Sequence, residues 1–271
     1  MKKIFKMIGS ILGYLAIHIC IGQMTIFAYS FYITITQILG GHSLNFNKII
    51  NTVNDAGYIL IGISSIITLI VFVLILRYKE KNLFQRCNFK KLNRSQIGKI
   101  TIITLALGFF TTALVTLMAH NFESYQSVSD GITNSYSSIL SMVSIIIIAP
   151  IFEEILFRGL IFNKLKDNIN IIVALIVQAL IFGLIHGNPL QTIYTFILGI
   201  ILAIFYIWTG SIWSNILCHM IYNLCGSVVI PLIVGLTPQL VYVYLVIGII
   251  LTIAMLILII EDYKNNLKTQ I

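Results

Sequence analysis

The stretch "APIFEEILFRGLIF", Ala149 to Phe162, sets two adjacent glutamates and an arginine inside a run that is otherwise soluble in lipid. The chain has only nine acidic residues among 271. Charges at bilayer depth are costly and are kept where they pair or do chemistry. The run is therefore either a buried helix of a soluble core or a membrane span with a site in it. Composition separates the two. The chain is 58% hydrophobic and 10% charged, with a mean hydropathy of +0.99, whereas about a quarter of the residues in soluble domains are charged.

Runs of ~20 apolar residues, the length that crosses a bilayer, fall near 8–37, 57–77, 99–119, 137–162, 169–187, 190–209, 211–231 and 238–260. The predicted fold is an all-α polytopic membrane bundle of about eight transmembrane helices, in one membrane domain over residues 1–271. The N-terminus, "MKKIFKMIGSILGYLAIHICIG", resembles a signal peptide, but its apolar run continues to about Leu39 without a small-residue cleavage site. It reads as a retained first span.

The formal net charge of +8 does not point to nucleic acid, because the basic residues are distributed as topology signals. Lys2, Lys3 and Lys6 precede the first span, and eight basic residues from Arg77 to Lys99 link the second and third. Lys164 and Lys166 follow the fourth, and Lys264 and Lys268 close the chain. The alternate loops hold only Lys48, beside Asp55, Glu123 and Asp130. Basic loops stay in the cytoplasm, so both termini are expected there, in a multi-pass protein of the cell membrane. The Arg77–Lys99 segment reads as a surface helix or loop near anionic headgroups. Cys20, Cys87, Cys218 and Cys225 lack Cys-x-x-Cys spacing, which argues against a disulfide framework or a thiolate zinc site.

On a helix, residues four apart share a face and adjacent ones point about 100° apart. Glu154 therefore pairs with Arg158, acid before base, and Glu153 is left available to accept or donate a proton. Pro150 removes one backbone hydrogen bond and frees the carbonyl of Ile146. The kink there either opens a cavity beside the glutamates or serves packing alone. Partners for Glu153 are expected from other polar residues inside the bundle. His186 has Phe182 one turn before it, and His219 and Asn223 form another same-face pair. His18 reads as an interhelical hydrogen-bond donor, while His42 and His120 sit at or beyond span ends and read as solvated. Counting ~1.5 Å per residue from these span ends puts Glu153 and His219 roughly 12–14 Å deep and His186 nearer 27 Å. The three can meet only if the boundaries of the fourth or fifth span shift.

Peptide hydrolysis suits this set. A glutamate with a histidine can hold and deprotonate water, and a histidine with an asparagine amide can donate to the oxyanion that forms. A metal variant stays open, with zinc held by Glu153, His186 and His219, although His-Glu-x-x-His spacing is missing. Two rivals also stay open, a proton-coupled transporter and a noncatalytic membrane scaffold.

"EEILFRG" (Glu153–Gly159), "FGLIH" (Phe182–His186) and "HMIYN" (His219–Asn223) resemble the ordered motifs Glu-Glu-x-x-x-Arg, Phe-x-x-x-His and His-x-x-x-Asn. These belong to the CAAX protease and bacteriocin-processing family, also called Abi, whose relatives include the Ras-converting CAAX endopeptidase. The resemblance covers roughly 137–226, making that segment the expected catalytic core. Residues 1–136 are then variable spans, and 227–271 the last span and tail. It implies an intramembrane endopeptidase with its site opening toward the cytoplasm. Glu153 and His186 would activate water and His219 and Asn223 would form the oxyanion hole, with Glu154, Arg158 and Phe182 in support. It implies no obligatory metal or cofactor. The partners expected are the lipid bilayer and a peptide or membrane-protein substrate, with no nucleic acid. The isoleucine, lysine and asparagine bias suggests an AT-rich prokaryotic genome, which favours peptide maturation or bacteriocin self-immunity over prenylated substrates.

Overall fold

The computed structural model describes residues 2–41, 43–136 and 138–268; His42, expected to be solvated, lies outside them. The elements are helical, in the order α1 (Lys2–Leu39), α2 (Phe46–Asp55), α3 (Gly57–Leu76), α4 (Leu83–Cys87), α5 (Arg94–Met118) and α6 (Tyr125–Ser135). They continue as α7 (Ile139–Lys166), α8 (Ile171–Leu184), α9 (Pro189–Thr209), α10 (Ile212–Leu236) and α11 (Val241–Lys268). Asparagine side chains start many of them. Asn82 and Asn93 close capping boxes with Gln85 and Gln96, and Asn188 accepts from the N–H groups of Leu190 and Gln191 beside Pro189, satisfying donors that the first turn leaves free.

Seven helices among the described residues are long and apolar enough to cross a bilayer. The segment expected as a fifth span over 169–187 is instead the 14-residue α8. At 1.5 Å per residue it reaches about 21 Å, short of the ~30 Å hydrocarbon layer, yet with its flanking turns it carries the chain from Asp167 on the side of the termini to Asn188 on the other. Gly187 turns the chain at φ 70°, a conformation glycine adopts without a Cβ clash, and α9 starts immediately after. The apolar residues run on to Ile185, so hydropathy alone does not register the turn.

Two sides of the bundle are distinct. On the side of the termini, Lys3 Nζ donates to the Asp167 carbonyl at 3.4 Å, Asn163 Nδ2 to Arg86 O at 2.8 Å, and Ser211 Oγ to Lys90 O at 2.6 Å. Lys99 pairs with Asp262 there. On the opposite side α2 packs on α6, Asn188 Nδ2 donates to Ser124 Oγ at 3.1 Å, and the Tyr136 hydroxyl donates to Ser227 O. Phe72, Phe152, Phe157, Phe162, Phe182 and Phe205 fill the core, while Phe27, Ile70, Ile172 and Ile250 face outward, as a lipid-facing bundle requires.

Three stretches widen to π-helical hydrogen bonding: Ser144–Ile148 and Ile155–Phe162 in α7, and Cys225–Val229 in α10. They bracket the glutamates and follow Asn223, in keeping with the habit of π segments to sit at functional sites. Each has a carbonyl answered by a side-chain donor: Asn223 Nδ2 to Ile145 O at 2.9 Å, Asn163 Nδ2 to Gly159 O at 3.0 Å, and Tyr136 to Ser227 O. The first corrects the expectation for Pro150. In the wider register Ala149 N–H bonds Ser144 O, so the donor missing at Pro150 would have served Ile145 rather than Ile146.

Candidate active site

The longer α7 resolves the mismatch in depth. Helix α7 runs on to Lys166, so Glu153 lies about 20 Å from that end, and His186 lies about 22 Å from the start of α8 at Ile171. The two are level. His186 follows the last turn of α8, where its Nδ1 is 2.8 Å from the Phe182 carbonyl.

Glu154 and Arg158 are both fully buried and pair at 2.9 Å, as the four-residue spacing predicts. Arg158 also donates through its second terminal nitrogen to Gly199 O at 3.3 Å and lies over the Phe182 ring, 4.5 Å from its centroid. Phe182 meets the rings of His186 and His219 edge-on at 5.2 and 5.8 Å. It therefore packs as a wall between cation and histidines. Gln178 donates to the same Gly199 carbonyl at 2.9 Å. Gly199 is required by close approach, since a Cβ there would stand 3.0 Å from Ala179 Cα and Cβ.

His219 stands between the two acids. Its Nδ1 is 2.7 Å from Glu154 Oε1, and its Nε2 is 3.7 Å from Glu153 Oε2. Glu154 thus orients the imidazole as well as meeting Arg158, a role beyond the support expected of it. The Glu153 side chain keeps 24% of its surface exposed and faces a cavity of about 790 Å³ whose walls also include His186, His219 and Asn223. That volume suits a small-molecule or peptide-sized occupant. Asn223 has one amide N–H on Ile145 O, which leaves its second for the cavity.

The cavity does not open toward the termini. Its lining comes from mid-bundle and from the side of α2 and α6, including Tyr58, Thr116, Ser129, Tyr194 and Pro238. The expectation put the mouth of the site and the termini on one side; the structure puts them on opposite sides, with α7 running past Glu153 as far as Lys166 at the basic end. His18 also lines this cavity and lies 3.4 Å from Thr68 Oγ1 on α3, the interhelical contact foreseen for it. His120 is exposed at the end of α5. Gln178, Gly199 and the tyrosines of the cavity were not singled out by the sequence reading. The glutamine at four residues before Phe182 was the available signal. Among the described residues, no three histidine, cysteine, aspartate or glutamate side chains form a group fit to hold a metal ion.

Residues 135–225 match the family model of the type II CAAX prenyl endopeptidase, Rce1-like. The match covers about a third of the chain. The matched segment holds all seven of the residues from Glu153 to Asn223 discussed above as a set. Over 169 residues the chain is 28% identical to "Putative membrane peptidase YdiL" of Bacillus subtilis (strain 168), covering 59% of this chain and 67% of that one. It is 38% identical over 90 residues to the "Membrane-embedded CAAX protease MroQ" of Staphylococcus aureus (strain USA300), covering 31% of this chain and 36% of the relative. No solved structure matches the chain. The matched segment thus sits in a multi-pass α-helical membrane protein whose similarity is to membrane peptidases.

Proposed function

We propose that the protein is an intramembrane endopeptidase that hydrolyses a peptide bond with water activated by Glu153 and His186. The observation that carries this reading is the convergence of Glu153, His186, His219 and Asn223 on one cavity, backed by a fully buried Glu154–Arg158 pair. Glu153 is the partly open carboxylate and takes the proton from water. With both nitrogens protonated, His219 would donate from Nδ1 to Glu154 and present Nε2–H to the cavity. Together with the second N–H of Asn223, it would stabilise the oxyanion of the tetrahedral intermediate. The proton held by Glu153 then passes to the leaving amine. Similarity to the Rce1-like model and to the two named relatives supports the reaction class. A transporter needs its site reached from both sides in turn, and the packing of Glu154, Arg158 and Phe182 beneath the cavity counts against one. Peptide maturation or bacteriocin self-immunity is the favoured setting.

Purified protein should cleave a candidate peptide in detergent or vesicles, with Glu153→Ala and His186→Ala each at least 100-fold slower, the lower range of general acid–base contributions. Equal activity in all variants would end the peptidase assignment. Activity that survives a chelator would set the zinc variant aside, and activity lost to it and restored by zinc would return it.

A further inference from the structure

We infer that the active-site cavity is entered from the extracytoplasmic side, so that the substrates are exported or outward-exposed peptide segments rather than cytoplasmic ones. The inference rests on the peptidase reading for the word substrate, and on separate observations for the side.

The first observation is where the walls come from. Most of the wall comes from the half of the bundle opposite the termini: Tyr58 begins α3, Thr116 is near the end of α5, Tyr194 lies early in α9, and Gly235 is near the end of α10, while His18, Phe157 and His219 lie at its mid-bundle floor. Helix α6 stands at the rim through Ser129 and Thr133. Among the described residues, no lining residue comes from the connections on the side of the termini. Beneath the cavity the path is filled by Arg158 and Glu154, both at 0% exposure, and by Phe182.

The second observation is charge. Of the 17 lysines and arginines, Lys48 alone belongs to the cavity side and Arg158 to the membrane interior. The rest cluster in the segments on the side of the termini, which the positive-inside rule assigns to the cytoplasm. Together the two observations leave the mouth outside the cell.

The rim chemistry suits a peptide. Tyr125 and Tyr136 bring hydroxyls, Ser129 and Thr133 further ones, and Asp130 with Glu123 supplies the nearby charge. Burial lifts the phenols of both tyrosines above the ordinary range, so they stay neutral, with Tyr136 donating to Ser227 O. No lysine or arginine lines the cavity among the described residues, which disfavours an anionic headgroup as occupant. Asn188, through Ser124, ties the His186 turn to the start of α6, so a chain passing α6 arrives directly at His186.

Single cysteines at Gln126 on the rim, Ser129 on the wall and Thr112 deeper in would be labelled with a membrane-impermeant maleimide in intact cells. Lys81→Cys serves as the cytoplasmic control, and the parent chain with its four cysteines gives the baseline. The expected result is labelling of the Gln126, Ser129 and Thr112 variants in intact cells, and of Lys81→Cys only after permeabilisation. Labelling of the Gln126 and Ser129 variants only after permeabilisation would overturn the inference. So would a Thr112 variant that stays unlabelled from both sides while Gln126→Cys reacts. These readouts need no turnover, so an inactive protein that labels from outside would sink the peptidase reading and leave the sidedness standing. For an active protein, a peptide added to right-side-out vesicles should be cleaved at least tenfold faster than in inside-out ones; the reverse preference would overturn the inference.

Discussion

Two halves of the molecule meet at adjacent residues of α7. Toward the termini, Glu154 has no exposed surface and is held by Arg158 and His219. Toward α6, Glu153 keeps 24% of its side chain exposed and opens on a large cavity. One carboxylate is consumed by compensation and the other is left to react. The bundle thereby separates holding a charge from using one, since protonating Glu154 would leave the buried Arg158 guanidinium uncompensated. The sharpest way to break this comparison is Glu153→Gln. It should cut turnover on any peptide the wild type cleaves by about 10²–10⁴-fold, while thermal unfolding in detergent stays at the wild-type midpoint. A loss of fold together with activity would make the two halves equivalent after all.

The converse change acts on the closed half. Glu154→Gln leaves the Arg158 guanidinium buried without its anion, and Arg158→Met leaves Glu154 so. Removing one partner of a buried pair costs about 3–5 kcal/mol, so either variant should unfold at clearly lower denaturant in detergent. Replacing both, as Glu154→Gln with Arg158→Met, should recover much of that stability. His219 would still lose its orienting carboxylate, so activity should stay low in the double variant.

Some of this asymmetry was legible in the chain. The i, i+4 spacing of Glu154 and Arg158, the two same-face pairs ending at His186 and Asn223, and the placing of basic loops all follow from helix geometry and lipid physics. Other parts were not. The π segment Ser144–Ile148 is a serine followed by four isoleucines. Such a run shows no period, so its wider register leaves no mark in hydropathy. That register moves the orphaned carbonyl to Ile145. Helix α8 looks like a full span because apolar residues fill both helix and turn. The side on which the cavity opens depends on how far α7 runs past Phe162, and Asn163 to Lys166 read as loop on composition. Gln178 and Gly199 act through a backbone carbonyl shared with Arg158, a tertiary contact that no local pattern encodes.

Asn223 belongs to both halves, because one N–H caps Ile145 and the other faces the cavity. Asn223→Ala should cost about 1–3 kcal/mol for the unpaired buried carbonyl and should also slow turnover. Pro150→Ala restores a backbone N–H at the position that the π register aims at Ile145. Combined with Asn223→Ala it should return stability toward wild type and leave turnover slow. If it returned both, the amide would be a brace and nothing more.

The smallest effect tests the closed half from beneath. Cys87 ends α4 on the basic side and is fully buried. It lies under Gly159, where a Cβ would meet its sulfur. Burial pushes its thiol up to about 12, so at pH 8 the thiolate fraction is less than about a thousandth of that of an ordinary cysteine near 8.5. Cys87 should therefore react with a soluble maleimide orders of magnitude more slowly than Ser129→Cys on the cavity wall, with each unit of added pH raising its rate about tenfold until the thiol titrates. Comparable rates at pH 8 would mean that water reaches α4, and that the half of the bundle holding Glu154 and Arg158 is not closed.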